Sequence, residues 1–206
     1  MIMYPVPGGI ITDTFETIRP LYLREKLERG ELLTPYEESL LHNHGAVDYA
    51  NGSNIIAPES GYLFAFECYR SQKSRQRWNH DVIVNGKPLP FKNYFNDVYG
   101  PVVVLIVPDP DDLSKVLRTH LFCHMWGNVV FNQVFEEKNK IRFEEKTGTR
   151  YVLTCWYTPE RFVNQGSNIG KIGNSGYSTG AHLHHEIHHG YSYNLHQDRI
   201  DPQKLF

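Results

Sequence analysis

Metal-loving side chains stand in three stretches far apart in the chain: His44-Gly-Ala-Val-Asp48, Phe122-Cys-His124-Met125, and Ser178-Thr-Gly-Ala-His182-Leu-His184-His-Glu186. They converge on one cation only if the fold brings distant segments together, so no other feature constrains the architecture as much. In a strand, side chains alternate between faces, which points His182, His184 and Glu186 one way and Leu183 and His185 the other. Two imidazoles two residues apart then lie roughly 6.5 to 7 Å apart at the backbone, from a rise of about 3.3 Å per residue. That separation lets one bind a metal while its neighbour reaches a water held by it.

Zinc in catalytic sites takes three protein ligands from histidine and carboxylate and leaves a position open. His44, Asp48 and one histidine of the His182/His184 pair supply that number. The bland alternative has His42 and His44 solvating a loop and Asp48 serving as a turn residue. On the strand Leu117 to Met125, alternation places Arg118, His120, Phe122 and His124 on one face. Either histidine there is a candidate acid or base beside the metal, or simply a satisfied core residue.

A chain of 206 residues is expected to form a single domain over 1–206 with a sizeable core. The formal charge of -2, with both signs interspersed, offers no broad basic field, so neither nucleic acid nor a membrane surface is an expected partner. Cys68, Cys123 and Cys155 are odd in number and lack C-x-x-C spacing, which argues for free, buried thiols. The start, Met-Ile-Met-Tyr-Pro-Val-Pro-Gly-Gly, has neither a basic segment nor an apolar core for a secretory leader, and no window approaches a membrane span.

Ile10 to Phe15, after the Pro5 to Gly9 turn signal, reads as a β edge. From Arg24 to His42 the composition shifts to Glu, Leu, Lys and Arg, and Thr34-Pro35-Tyr36-Glu37 resembles a helix cap, so one or two short helices are expected. Beyond Asp48 the pattern is predominantly β. The expected strands are Ile55–Pro58, Gly61–Phe66, Asp81–Val84, Val102–Val107, Val116–Met125, Val129–Phe135 and Arg150–Tyr157. Asn85-Gly86 is a hairpin signal. Glu136 to Thr149 reads as a charged, turn-like stretch. The expected fold is mainly β, an antiparallel sheet core with short peripheral helices.

The motifs, taken in order, are similar to those of a known family. His44-x-x-x-Asp48 is followed by Ile56-Ala57-Pro58-x-x-Gly61-x-Leu63 and Tyr99-Gly100-x-Val102. An apolar-x-His-apolar strand comes next, then the run Gly166-x-x-Ile169-Gly170-x-Ile172-Gly173-Asn174-Ser175-Gly176-x-Ser178-Thr179-Gly180-x-His182-Leu183-His184-x-Glu186, and Asp201-Pro202-x-x-Leu205 closes the series. This order resembles the lysostaphin-type zinc endopeptidases, the M23 peptidases.

The resemblance implies a lysostaphin-like antiparallel β core with hairpin insertions, at about 67–98 and 127–160. It implies one zinc ion held by His44, Asp48 and His184, with His182 and His124 as catalytic residues flanking it. It further implies hydrolysis of peptide bonds in bacterial peptidoglycan, the partner being the wall peptide. A non-catalytic relative that binds zinc and a cell-wall partner is the alternative, and a β domain that only stores or senses metal is a third. A phage-encoded or virion-associated lysin, or an excised catalytic domain, fits the absence of a leader. There are departures from the family pattern. Phe122 stands where the family has Tyr, Ala46 where a Gly is usual, and His185 where Phe is common. His120 is a rival of His124. Ser175, Ser178 and the cysteines receive no role beyond structure.

Overall fold

Apolar, β-branched runs bury themselves most cheaply as paired strands, and in the computed structural model they build one large antiparallel sheet. The structure describes residues 2–70, 81–84, 87–90, 99–100, 102–126, 139–145, 151–157, 160–176, 178–191 and 198–206. Numbered along the chain, the strands of the first half are β1 (Ile10–Asp13), β2 (Ile18–Arg19), β3 (His42–Asn43), β4 (Val47–Ala50), β5 (Asn54–Ile56), β6 (Gly61–Arg70), β7 (Asp81–Val84) and β8 (Lys87–Pro90). Those of the second half are β9 (Val102–Pro108), β10 (Val116–Cys123), β11 (Asn139–Glu145), β12 (Tyr151–Tyr157), β13 (Arg161–Val163), β14 (Asn168–Lys171), β15 (Leu183–His189) and β16 (Arg199–Ile200).

The main sheet runs in the order β1-β4-β15-β10-β9-β6-β12-β11, with β13 also on β6 and β16 on β15. Three short pairs, β2 with β3, β5 with β14 and β7 with β8, complete the strand pairing among the described residues. The sheet is therefore mainly β and antiparallel, as the strand pattern predicts, and the expected β edge at Ile10 is its outer strand.

One face of the central strands holds the core. Leu63, Ala65, Val103, Leu105, Phe122 and Leu183 are buried there together with Val47, Tyr49 and Ile169. Each fully buried aliphatic or aromatic side chain contributes about 1.5–3 kcal/mol, so this layer dominates the stability of the sheet. The opposite face of β4, β15 and β10 carries the polar groups described below.

Between β2 and β3 lie the two expected helices, α1 (Leu21–Glu28) and α2 (Pro35–Leu40). Thr34 accepts from the Glu37 backbone N–H while the Glu37 carboxylate accepts from that of Thr34, a complete capping box with Pro35 at the first turn. Among the described residues no helix is long and apolar enough to cross a membrane.

The stretch read as charged and turn-like, Glu136 to Thr149, contains a strand instead. Residues 139–145 pair with Tyr151–Tyr157 and form the outermost strand of the sheet among the described residues. Charged side chains are tolerated and useful on an edge strand, which is why Asn-Lys-Ile-Arg-Phe-Glu-Glu looks like a loop by composition. The expected strand Val129–Phe135 and the Asn85-Gly86 turn lie outside the described residues, although β7 and β8 flank that turn and pair antiparallel. Of the insertions at 67–98 and 127–160, the described parts are the end of β6, the β7–β8 hairpin and the strands β11 and β12. Cys123 is buried and unpaired, whereas the side chains of Cys68 and Cys155 lie outside the described residues.

Candidate metal site

Register brings the first two side chains together. β4 and β15 are hydrogen-bonded neighbours in which Asp48 stands directly opposite His184, so both point from one face of the sheet. His44 enters from the loop before β4, held by a hydrogen bond of 2.7 Å from its backbone N–H to the Thr17 carbonyl. Asp48 is thus a buried strand residue, not a turn residue.

The three ligand atoms form a nearly equilateral triangle. His44 Nε2 lies 3.0 Å from His184 Nδ1 and 3.4 Å from Asp48 Oδ1, and His184 Nδ1 lies 3.1 Å from Asp48 Oδ1. Bonds of about 2.0–2.1 Å to a tetrahedral cation would set such atoms roughly 3.3 Å apart, so the side chains fit a single small metal ion. No other rearrangement of the triangle is needed. His44 donates from Nδ1 to the Thr14 carbonyl at 3.3 Å, and His184 donates from Nε2 to Glu186 Oε1 at 3.0 Å. Each imidazole is thereby held by its outer nitrogen, and the inner one faces the triangle.

The electrostatics agree with a place built for positive charge. Burial, reinforced by the neighbouring charge on His184, pushes His44 down to about 4. Burial would also lower His184, but hydrogen bonds to the Asp48 and Glu186 carboxylates hold it up at about 9. Asp48 and Glu186 both stay below the ordinary carboxylate range: burial opposes ionisation, and their contacts with His184 overcome it. The second Asp48 oxygen, Oδ2, faces Arg19 Nη2 and His182 Nε2, each at 3.8 Å, and Arg19 is itself paired with Asp13.

Two further histidines flank the triangle. His182 sits just before β15, bridged to Gly173, and donates from Nδ1 to the Gly180 carbonyl at 2.8 Å, with Ser178 Oγ 3.1 Å away. His124 donates from Nδ1 to the Ser175 carbonyl at 2.8 Å, and its ring centroid lies 4.7 Å from that of His182 and 5.7 Å from that of His184. Burial, with the His184 charge second, pushes His124 down to about 4, so near neutrality it is uncharged.

His120 is elsewhere. Strand alternation alone puts it on the face of His124, but His124 follows the end of β10 with φ of 59°, a left-handed residue that turns its ring off the alternating pattern. His120 instead faces the core side, 2.9 Å from Glu59 Oε2 and 3.1 Å from His185 Nε2, with Phe122 and His185 stacked beside it. His185, which stands where Phe is common in the family pattern, thus makes a polar contact with His120.

Four residues of the site received no role from the sequence. The Tyr99 ring lies 6.0 Å from His124 and 5.7 Å from His184 between centroids, its carbonyl accepts the His124 N–H at 2.7 Å, and burial keeps its hydroxyl protonated. Arg19, Glu186 and Arg199 complete the surroundings. Glu186 was readable, since it alternates with His184 on one strand face. Arg19 and Arg199 carry no local signal, because their positions follow from the pairing of β2 and β16.

A scan against protein-family models finds no match, and neither does a search of curated proteins. Solved structures do match. A zinc-containing peptidase from Vibrio cholerae is 15% identical with a TM-score of 0.43, over 96% of this chain and 37% of that one. The catalytic domain of the prophage-encoded M23 protein EnpA from Enterococcus faecalis is 17% identical with a TM-score of 0.41, over 95% and 89%. The catalytic domain of the antimicrobial peptidase lysostaphin from Staphylococcus simulans is 18% identical with a TM-score of 0.40, over 79% and 78%. This chain thus spans well under two thirds of the Vibrio cholerae protein.

Proposed function

We propose that this chain is a zinc-dependent endopeptidase that hydrolyses peptide bonds of bacterial peptidoglycan. The observation that carries the reading is the triangle of His44 Nε2, Asp48 Oδ1 and His184 Nδ1, with two further imidazoles beside it. Two nitrogens and one carboxylate oxygen suit zinc better than calcium or magnesium, which favour oxygen ligands. The wall-peptide substrate follows from the motif resemblance, in which His44, Asp48 and His184 fall on the ligand positions and His182 and His124 on the catalytic ones.

Zinc held there supplies Lewis acidity, which acidifies water to a pKa of about 7 and polarises a carbonyl. The chain supplies the rest. His124 donates from Nδ1 to the Ser175 carbonyl and His182 from Nδ1 to the Gly180 carbonyl, so Nε2 is in each ring the nitrogen left to exchange a proton. One takes the proton released as water adds to the scissile carbonyl, and the pair delivers a proton to the departing amine. Burial keeps the His124 ring uncharged near neutrality, so it does not repel a cation in the triangle. Tyr99 and the Ser175 carbonyl fix His124 from two sides, so its position is set before substrate arrives.

Incubation of the zinc-loaded protein with peptidoglycan of several chemotypes, followed by identification of new amino termini, tests the reading. Cleavage by the wild type is expected. His184→Ala should lose zinc and activity together, while His182→Ala and His124→Ala keep zinc and slow turnover by about 10²–10⁴. Zinc binding without new amino termini on any chemotype would leave a non-catalytic metal protein and sink the enzyme.

A further inference from the structure

Glu186 is wholly buried, with three nitrogen groups around its carboxyl oxygens. Oε1 accepts from His184 Nε2 at 3.0 Å and from Arg199 Nη2 at 3.1 Å, and Oε2 accepts from His188 Nε2 at 2.9 Å. A buried carboxylate left short of donors is costly, and Arg199 is one of the three groups that satisfy this one. Arg199 reaches it from β16, whose pairing with β15 puts Arg199 opposite His188.

The other arm of Arg199 goes to the first ligand segment. Nη1 donates to the His44 carbonyl at 3.1 Å. Gly45, next in sequence, has φ of 70°, and a Cβ built on it would overlap the Arg199 guanidinium. Absence of a side chain at 45 is therefore what lets the guanidinium pass beside the His44 backbone. One planar group thus touches, directly or through one carboxylate, both histidines of the triangle, which stand 140 residues apart in sequence.

We propose that Arg199 is a positioning residue for the metal site, a clamp that fixes His44 through its carbonyl and His184 through Glu186. The inference rests on the metal-binding reading above and deepens it. Its physical content is twofold. The Glu186 carboxylate accepts the Nε2 hydrogen bond of His184, which leaves Nδ1 as the ligand nitrogen, and Arg199 holds that carboxylate in orientation. The bond to the His44 carbonyl holds the loop that presents Nε2 of His44 at the matching distance. Losing the clamp would leave all three ligands in the chain but free to drift apart in the metal-free protein, so the loss appears as weaker and shorter-lived metal binding.

Competition titration of zinc against a chromophoric chelator, on refolding-checked protein, reads this directly. Arg199→Ala and Glu186→Gln are each expected to raise the zinc Kd about 10–100-fold and to speed zinc loss to excess chelator. Arg199→Lys keeps the charge but cannot make both bonds, so it should recover only part of the affinity. Because both residues act through one chain of contacts, the Arg199→Ala/Glu186→Gln double variant should be much less than additive in Kd. Circular dichroism of the metal-free variants separates a folding defect from a ligand defect, and Arg199→Lys serves where Arg199→Ala fails to fold. A Kd within about 3-fold of wild type in folded Arg199→Ala, or additive effects in the double variant, would overturn the clamp while leaving the metal site intact. Failure of the wild type itself to bind zinc would instead remove the metal reading and the clamp with it.

Discussion

His120 spends both ring nitrogens inside the protein, on Glu59 and on His185, and none of its surface reaches solvent. Its replacement by Asn shortens the side chain and leaves the Glu59 carboxylate and His185 without that partner, a loss of about 1–3 kcal/mol for a buried polar group. His120→Asn is therefore expected to lower the unfolding free energy by that amount and to leave the zinc Kd within about 2-fold of wild type. Urea unfolding and chelator competition on the same preparation check both halves. A large rise in Kd would mean that His120, not His124, faces the cation. At this scale the grouping of His44, Asp48 and His184 was legible, since His44, Asp48 and the His182/His184 pair combine spacing with a glycine-rich run. The choice between His120 and His124 was not, because strand alternation holds only while the backbone stays extended, and the left-handed turn at His124 breaks it.

Close approach of two elements decides what the glycines do. Gly173 packs against the segment that follows β10, and a Cβ there would come within 2.5 Å of the Met125 carbonyl carbon and the Trp126 nitrogen, and 2.6 Å of the His124 oxygen. Backbone cannot yield as a side-chain tip can, so Gly173→Ala must push the two segments apart. A loss of about 1–3 kcal/mol is expected together with reduced turnover, as His124 moves with its segment. Gly180 has nothing within 4 Å of such a Cβ, so Gly180→Ala should change stability by no more than about 0.5 kcal/mol. Thermal unfolding of the two variants, side by side, decides it. On the helical excursion, Glu37 is pushed down to about 2, first by its bond to Lys26 and then by the Thr34 backbone N–H. A depressed carboxyl adds stability above its unfolded value near 4.5 and loses it as pH falls through the folded value. The Tm difference between wild type and Glu37→Gln should accordingly shrink from pH 5 to pH 2, and a constant difference would contradict the cap. Both helices and most strands were legible because Pro35 after Thr34 and the Val102 to Val107 run are local signals. The edge strand β11 was not, since its charges are those of a loop and only its pairing with β12 makes it a strand.

Across the whole molecule, the triangle ties strands that are neighbours in space and far apart along the chain. Asp48 and His184 are separated by 136 residues, and the strands β6, β9, β10, β11, β12 and β13 of the same sheet lie between them in sequence. A cation bound there as proposed would join β4 to β15, which the described residues connect through cross-strand hydrogen bonds. Sequence spacing can nominate such ligands, but it cannot give the register that sets Asp48 opposite His184, because register comes from the core face of the same strands: Val47 and Leu183 must both point inward. A cation bound as proposed would hold to the folded chain and find no comparable site on the unfolded one, so its contribution would follow mass action, about 2.7 kcal/mol at 100 times Kd and about 4.1 kcal/mol at 1,000 times Kd. Chelation is then expected to lower Tm by an amount that grows with the logarithm of the zinc concentration it removes, and zinc restores it. The loss should also be local. Amide exchange should accelerate in β1, β4, β15 and β16, which surround the triangle, and much less in β6, β9 and β12, which hold the core without it. Uniform acceleration over every strand would mean that the ion supports the entire sheet, and an unchanged Tm after complete chelation would mean that these three side chains hold no ion in solution.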